Sequence, residues 1–341
     1  MRKIRLGIIG AGRIGKVHAR TASFSEGARL AVITDLDRSR AEEAAALYGI
    51  PQVVNNALEI FSDPGIEAVL ICSPTNTHSD YIVQAAKAGK HIFCEKPIDY
   101  DLAKIDAALN AVERAGVQLQ IGFNRRFDAN FVRVRNAIES GEIGRPHLLH
   151  IVSRDPEPPP ISYIKTSGGM FFDMTIHDFD MARYLMQDEV TEIYAAAGVM
   201  IDPELGKAGD VDTAVITLRF RNGAIGTIDN SRQASYGYDQ RVEVLGSKGA
   251  ISTGNCYPNQ AIVSTGTEIR RDLPLNFFME RYAASFAEEV RAFIAAVAEN
   301  RPTPVTGADG RVPVLMGLAA RKSYEEGRPV KMEELAAAVV K

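Results

Sequence analysis

Little in this 341-residue chain points toward a membrane, a nucleic acid or a secretory route. No stretch approaches the ~18 uninterrupted apolar residues that a spanning helix needs. The basic start (Arg2, Lys3, Arg5) runs into an apolar segment broken by Gly7, Gly10, Gly12 and Gly15, so no signal peptide is expected. There is no basic tract and the net charge is only -4, which argues against a nucleic-acid partner. The three cysteines, Cys72, Cys94 and Cys256, lack metal-ligand spacing, and no metal is expected. Cys72 and Cys94 lie in apolar runs, as small core residues do. A reducing, cytoplasmic setting follows. What remains is 46% hydrophobic and 24% charged, the composition of a globular chain of about two domains.

The first third alternates strand and helix patterns. Ile4–Ile9 is a short apolar run, followed by Gly10-Ala11-Gly12-Arg13-Ile14-Gly15, a helix-forming stretch, and a second apolar run, Ala28–Thr34, ending at Asp35. This is G-x-G-x-x-G in its required setting of strand, turn, helix, strand and acid. Gly10 permits the tight turn, Gly12 lets a pyrophosphate approach the backbone, and Gly15 lets the helix pack on the strand. The N-terminus of the helix that follows, read over Lys16–Ser23, offers free N–H groups to phosphate. Asp35, 20 residues after Gly15, is placed to accept hydrogen bonds from ribose hydroxyls and to repel a 2′-phosphate. NAD is therefore expected, with Arg38 leaving an NADP option open.

Further apolar runs follow at Ala68–Cys72, His91–Cys94 and Val117–Gly122. Strands alternating with helices predict a doubly wound parallel sheet. Ligands bind at the carboxyl edge of such sheets. Two loops fall there: Ser73-Pro74-Thr75-Asn76-Thr77-His78, a candidate lining of the cofactor channel, and Glu95-Lys96-Pro97. A cis bond is possible before Pro97.

After Gly122 the alternation stops, so residues 1–122 are read as a Rossmann domain and 123–341 as a second, α+β domain. Within it, Asp173 and His177 are four apart, on one face of a predicted helix. A carboxylate beside an imidazole fixes the ring, and histidine is the usual general base near neutral pH. Later segments turn to strand, with Asn222-Gly223 marking a hairpin. They predict a large open, mainly antiparallel sheet, one face of which needs a second subunit to cover it. The C-terminal helices are free to pack back on the first domain.

With these motifs in place, the chain resembles the glucose–fructose oxidoreductase/inositol dehydrogenase superfamily over nearly its whole length. The likeness rests on Gly10–Gly15, Ser73–His78, Glu95-Lys96-Pro97, Gly168–Asp180 and Gly307–Ser323. Gly122–Asp128, Asp173–Asp180 and Ser235–Asp239 make it most like bacterial inositol 2-dehydrogenases. The resemblance implies NAD-dependent oxidation of a ring hydroxyl of myo- or scyllo-inositol to a ketone, by a homotetramer. It implies that Lys96, Asp173 and His177 surround the reacting hydroxyl. Arg126, Asp155, Tyr236 and Tyr282 are expected to contact other hydroxyls. Gly10, Gly12, Arg13, Ile14, Gly15, Asp35, Ser73, Pro74, Thr75, Asn76, His78, Glu95 and Lys96 are expected around the cofactor. Two alternatives stay open: an NAD(P)-dependent aldose dehydrogenase, with the unusual Arg154–Thr166 segment reshaping the pocket, and a catalytically inactive nucleotide-binding regulator.

Overall fold

The structure, a computed structural model, describes residues 3–336. The described residues divide into two compact units: those up to 127 with 284–314, and 128–283 with those from 315 on.

The first unit holds six strands, β1 (Ile4–Ile9), β2 (Ala28–Thr34), β3 (Gln52–Val53), β4 (Ala68–Ile71), β5 (His91–Glu95) and β6 (Leu119–Gly122). They lie in the order β3-β2-β1-β4-β5-β6, and every pairing is parallel. The order reverses beside β1, which is where a doubly wound sheet opens a ligand crevice. Helices α1 (Arg13–Ser23), α2 (Arg38–Tyr48), α3 (Ala57–Ser62), α4 (His78–Lys87) and α5 (Leu102–Ala115) connect the strands. Their ends follow local chemistry. Asp37, Asn56 and Asp101 accept backbone N–H groups at N-caps, and Gly49 and Gly116 close α2 and α5 in the left-handed conformation. The unit continues past Gly122 to Phe127 and regains the chain at Ala284. The reason is packing. Val290, Phe293, Ile294 and Val297, on a helix near the C-terminus, join the apolar cluster formed by Leu6, Ile8, Leu30 and Phe93.

The second unit contains α6 (Ala129–Glu139), β7 (Pro146–Arg154), α7 (Ile161–Ser167), α8 (Met170–Asp173) and α9 (Thr175–Met186). Then come β8 (Val190–Gly198), α10 (Pro203–Lys207), β9 (Thr213–Phe220), β10 (Ile225–Ser231), β11 (Asp239–Gly246) and β12 (Gly249–Thr253). A hairpin, β13 (Ile262–Ser264) with β14 (Ile269–Arg271), leads to α11 (Phe278–Arg281). The chain ends with α12 (Ala283–Ala298) and α13 (Gly307–Glu326), then β15 (Val330–Lys331) and α14 (Met332–Ala336).

The large sheet runs β12-β11-β7-β10-β9-β8-β15. It is mixed, because β10 pairs with β7 in parallel while its other pairings are antiparallel. Parallel neighbours need a crossover, and here α7, α8, α9, β8, α10 and β9 intervene between β7 and β10. Burial alternates along β9 and β11, so one face is inside and the other outside. The inner face, including Leu149, Ile151, Ile216 and Ile228, is covered in part by α9.

Candidate active site

In the first unit, the glycine turn fits its expected use. Gly10 has φ +101°, and a Cβ there would lie 2.6 Å from the Cys72 carbonyl oxygen. A Cβ on Gly15 would come within 2.0 Å of the Gly10 carbonyl oxygen. At Gly12 the same Cβ would meet no protein atom within 4 Å. The backbone at the start of α1 thus borders space a pyrophosphate can enter. Arg13 is exposed and Ile14 half-buried in the first turn of that helix. Asp35, just beyond β2, accepts Ala11 N–H at 2.6 Å and Asp37 N–H at 2.8 Å. Two backbone donors therefore hold a carboxylate beside the glycine turn. These groups fit an adenosine ribose and a diphosphate.

The loop after β4 is braced from within. Ser73 and Thr77 hydroxyls lie 2.6 Å apart, and Thr75–Thr77 forms a single 3₁₀ turn. Pro74 and Asn76 are exposed and Thr75 is half-buried. His78 is buried, with Nδ1 2.8 Å from the Pro97 carbonyl oxygen and Nε2 2.7 Å from that of Ser73. Its ring ties this loop to the one after β5. Burial lowers its pKa, against the opposing pull of the two carbonyls.

Lys96 follows β5 and is half-buried, and its peptide bond to Pro97 is cis. Beneath it Glu95 is buried and lies 2.6 Å from His18 Nε2. Sequence reasoning missed the third member, Glu289 of α12. Atoms of His18, Glu95 and Glu289 lie within 4.8 Å of one another, and neither Glu289 carboxylate oxygen has a hydrogen-bond partner. Burial first, and then the charge of Glu95, push the Glu289 carboxyl well above the usual glutamate range. Arg126, also in this unit, donates to Asp309 Oδ1 at 3.0 Å.

In the second unit, Asp173 and His177 are both half-buried. One uninterrupted helix was expected beneath them. Instead Asp173 ends α8, Met174 forms a joint (φ -98°, ψ -62°), and His177 lies in the first turn of α9. Buried Met174 and the well-anchored turn before α8 set that break. Gly168 and Gly169 have φ +82° and +80°, and Met170 N–H donates to Asp210 Oδ1 at 2.9 Å. A Cβ on Gly169 would stand 2.6 Å from that same oxygen, so only glycine fits.

The strand beneath pins α9. Asn230 of β10 is fully buried and accepts from the Thr175 hydroxyl at 2.6 Å. It donates to Asp178 Oδ2 at 2.9 Å and to the Ser153 carbonyl at 3.3 Å. Asp178 is thus engaged by an amide. Asp173 Oδ1 accepts from the Tyr163 hydroxyl at 2.8 Å, and Oδ2 from Arg232 Nη1 at 3.1 Å. Asp155 Oδ2 lies 3.5 Å from the same Nη1.

The two tyrosines are held internally. Tyr236 donates to Asp239 Oδ2 at 2.6 Å and accepts from Arg154 at 3.0 Å. Burial and the adjacent Asp239 raise its pKa. Tyr282 is buried, packs edge-on to Tyr238, and reaches Gln240 Oε1 at 3.5 Å. Arg232 and Asn230 carried no sequence signal, since each is a lone polar residue whose partners lie far along the chain, and Tyr163 was one more aromatic in an irregular segment.

Residues 4–123 match the oxidoreductase family with an NAD-binding Rossmann fold, and residues 131–252 match the GFO/IDH/MocA C-terminal domain. The chain belongs to the GFO/IDH/MocA family. It is an oxidoreductase whose first unit is that family's NAD-binding domain. It is 49% identical over 332 residues to the myo-inositol 2-dehydrogenase of Thermotoga maritima, covering 97% of this chain and 99% of that one. A family structure from Sinorhizobium meliloti 1021, a putative myo-inositol dehydrogenase, superposes with TM-score 0.94 at 45% identity, covering 97% and 100% of the two chains. The scyllo-inositol dehydrogenase of Lactobacillus casei, with bound NAD(H) and scyllo-inositol, superposes with TM-score 0.91 at 29% identity and the same coverage. Among the described residues, no helix is long and apolar enough to cross a membrane.

Proposed function

We propose that this chain is an NAD-dependent dehydrogenase that oxidises one ring hydroxyl of an inositol, myo- or scyllo-, to the ketone. The observation that carries the reading is the 49% identity to a myo-inositol 2-dehydrogenase along 97% of the chain. The glycine turn, the fixed Asp35, and Ser73, Pro74, Thr75, Asn76, Glu95 and Lys96 at the strand ends would hold the dinucleotide. NAD, when bound, supplies a hydride acceptor.

The chain's own residues have the remaining work. His177 takes the proton of the reacting hydroxyl as general base. Lys96 stabilises the developing alkoxide as a fixed cation. Asp173 orients the base, and Arg126 and Asp155 offer a donor and an acceptor to further hydroxyls. The Tyr236 and Tyr282 hydroxyls, with partners inside their own unit, would line the site rather than anchor substrate alone. In this reading the enzyme is cytoplasmic, with its three cysteines reduced, and binds no nucleic acid. It assembles as a homotetramer through the outer face of the large sheet. Tyr194, Val215, Ile225 and Leu245 stand exposed on that sheet's strands, which supports a covered face.

The test is an NADH-absorbance screen over inositol isomers and simple aldoses, repeated with His177→Ala. Turnover of myo- or scyllo-inositol is expected, and its loss by about 100-fold or more in the variant. Activity on aldoses with none on inositols would replace the substrate. NAD binding without any turnover would make the protein a regulator. An unaltered rate in His177→Ala would remove the base assignment.

A further inference from the structure

Arg232 follows β10 directly and is only 2% exposed, among the largest fully buried side chains of the protein. Three carboxylates surround its guanidinium. Asp173 Oδ2 is 3.1 Å from Nη1, Asp155 Oδ2 is 3.5 Å from Nη1, and Asp210 Oδ2 is 3.9 Å from Nη2. These come from three separate places: the end of α8, the loop after β7 and the loop before β9. Backbone bonds fix the cation in turn. Arg232 N–H donates to the Asp212 carbonyl at 2.8 Å, and Asp155 N–H to that of Ser231 at 2.9 Å. Burial works against the charge on Arg232, but Asp173, Asp155 and Asp210 together hold its pKa above the ordinary arginine value.

One buried cation therefore reaches both ends of the catalytic segment. Asp210 Oδ2 lies 3.9 Å from Nη2, a charge contact without a hydrogen bond, while the other oxygen of that carboxylate accepts the Met170 N–H at the turn that starts α8. Through Nη1 the guanidinium reaches the carboxylate that ends α8. We propose that Arg232 is the positioning residue of the site: it keeps Asp173 an aimed anion, so that Asp173 orients and accepts but never supplies a proton. The proposal rests on the reading of Asp173 as a site residue.

The geometry gives this content. Asp173 Oδ1 is tied to Tyr163 on α7 and Oδ2 to Arg232. A carboxylate has about four acceptor positions, so these two bonds do not exhaust what Asp173 can accept. Charged and titratable groups near this pair include Asp155, Asp210 and Tyr163, with His177 in the first turn of α9. Without the guanidinium, Asp155, Asp173 and Asp210 repel one another, and Asp173 loses the cation that favours its charged form. An arginine beside an aspartate lowers its pKa by roughly 1–3 units. A lysine keeps the charge but is a point donor that cannot span Asp173 and Asp155 in one plane.

The experiment compares wild type, Arg232→Met, Arg232→Lys, Tyr163→Phe and Asp173→Asn, with NAD and the preferred inositol. It records kcat, KM and the pH profile of kcat/KM, with circular dichroism as the folding control. In Arg232→Met, kcat is expected to fall roughly 10- to 100-fold, the cost of a misplaced group. Its acid limb is expected to move up by about one pH unit or more. Arg232→Lys, which keeps the core charged if the Met variant misfolds, is expected to restore the wild-type acid limb while kcat stays low. Tyr163→Phe is expected to lower kcat mildly with the acid limb in place. Acid limbs that coincide in wild type and Arg232→Met, or a Lys variant that recovers full kcat, would overturn the proposal. An Asp173→Asn enzyme with undiminished kcat would instead overturn the reading of the site beneath it.

Discussion

Replacing Glu289 by Gln probes a charge that the fold cannot comfortably hold. Glu289 is fully buried on α12, its carboxylate oxygens lack hydrogen-bond partners, and Glu95 stands close by. Burial and that neighbour raise its folded pKa well above the ordinary range. In an unfolded chain a glutamate loses its proton near about pH 4.3. Above that pH the folded protein holds one more proton than the unfolded one, so stability falls as the pH rises. The loss grows at up to about 1.4 kcal/mol per pH unit and stops at the folded pKa. Below the unfolded value both states are protonated and the group has no effect. Glutamine has the same shape, does not titrate, and offers an amide donor to Glu95. Urea unfolding of both proteins in steps from pH 4 to 8 measures the difference. The chain has no tryptophan, so tyrosine fluorescence and far-ultraviolet circular dichroism are the probes. The stability of Glu289→Gln relative to wild type is expected to climb with pH at about that slope. A difference that is flat, or that shrinks as the pH rises, would mean that Glu289 is ionised in the folded state.

Two glycines of one turn should separate affinity from stability. Gly12→Ala adds a methyl where no protein atom lies within 4 Å, so its melting temperature should hold while calorimetry finds NADH binding weaker by about tenfold or more. Gly15→Ala drives a Cβ to 2.0 Å from the Gly10 carbonyl oxygen and should cost about 1–3 kcal/mol in urea unfolding. Asp128→Ala removes the N-cap of α6 and the buried partner of Arg281, held at 2.5 Å. It should lose about 3–5 kcal/mol, the cost of stranding a buried cation, and a loss under about 1 kcal/mol would mean that water already reaches the pair.

The first unit was legible because its chemistry is local. Gly10, Gly12, Gly15 and Asp35 announce a turn, a helix start and a strand end within 26 residues, and the alternating strands carry the sheet order with them. Asp173 and His177 were legible by spacing, but the joint at Met174 was not, because Gly169 and Asp210 set it through a contact 40 residues apart. Arg232 and Asn230 stayed invisible for the same reason. A lone polar residue in or after a strand has the same pattern whether it faces water or a buried carboxylate. The parallel pairing of β7 with β10 was missed because strand patterns report which face is buried, not which neighbour lies beside them.

The return of α12 to the first unit has a consequence for how the protein is made. The helix that supplies Val290, Phe293, Ile294 and Val297 to the first unit's apolar cluster comes after every strand of the large sheet but β15 in sequence. A ribosome builds the nucleotide-binding sheet first and its last wall nearly 300 residues in. The nascent sheet must therefore wait with part of its apolar surface uncovered while the second unit is synthesised. A fragment ending at Phe127 should inherit that uncovered surface, and expressing it with a separate peptide spanning 284–314 is the direct way to learn whether the missing wall can be supplied from outside.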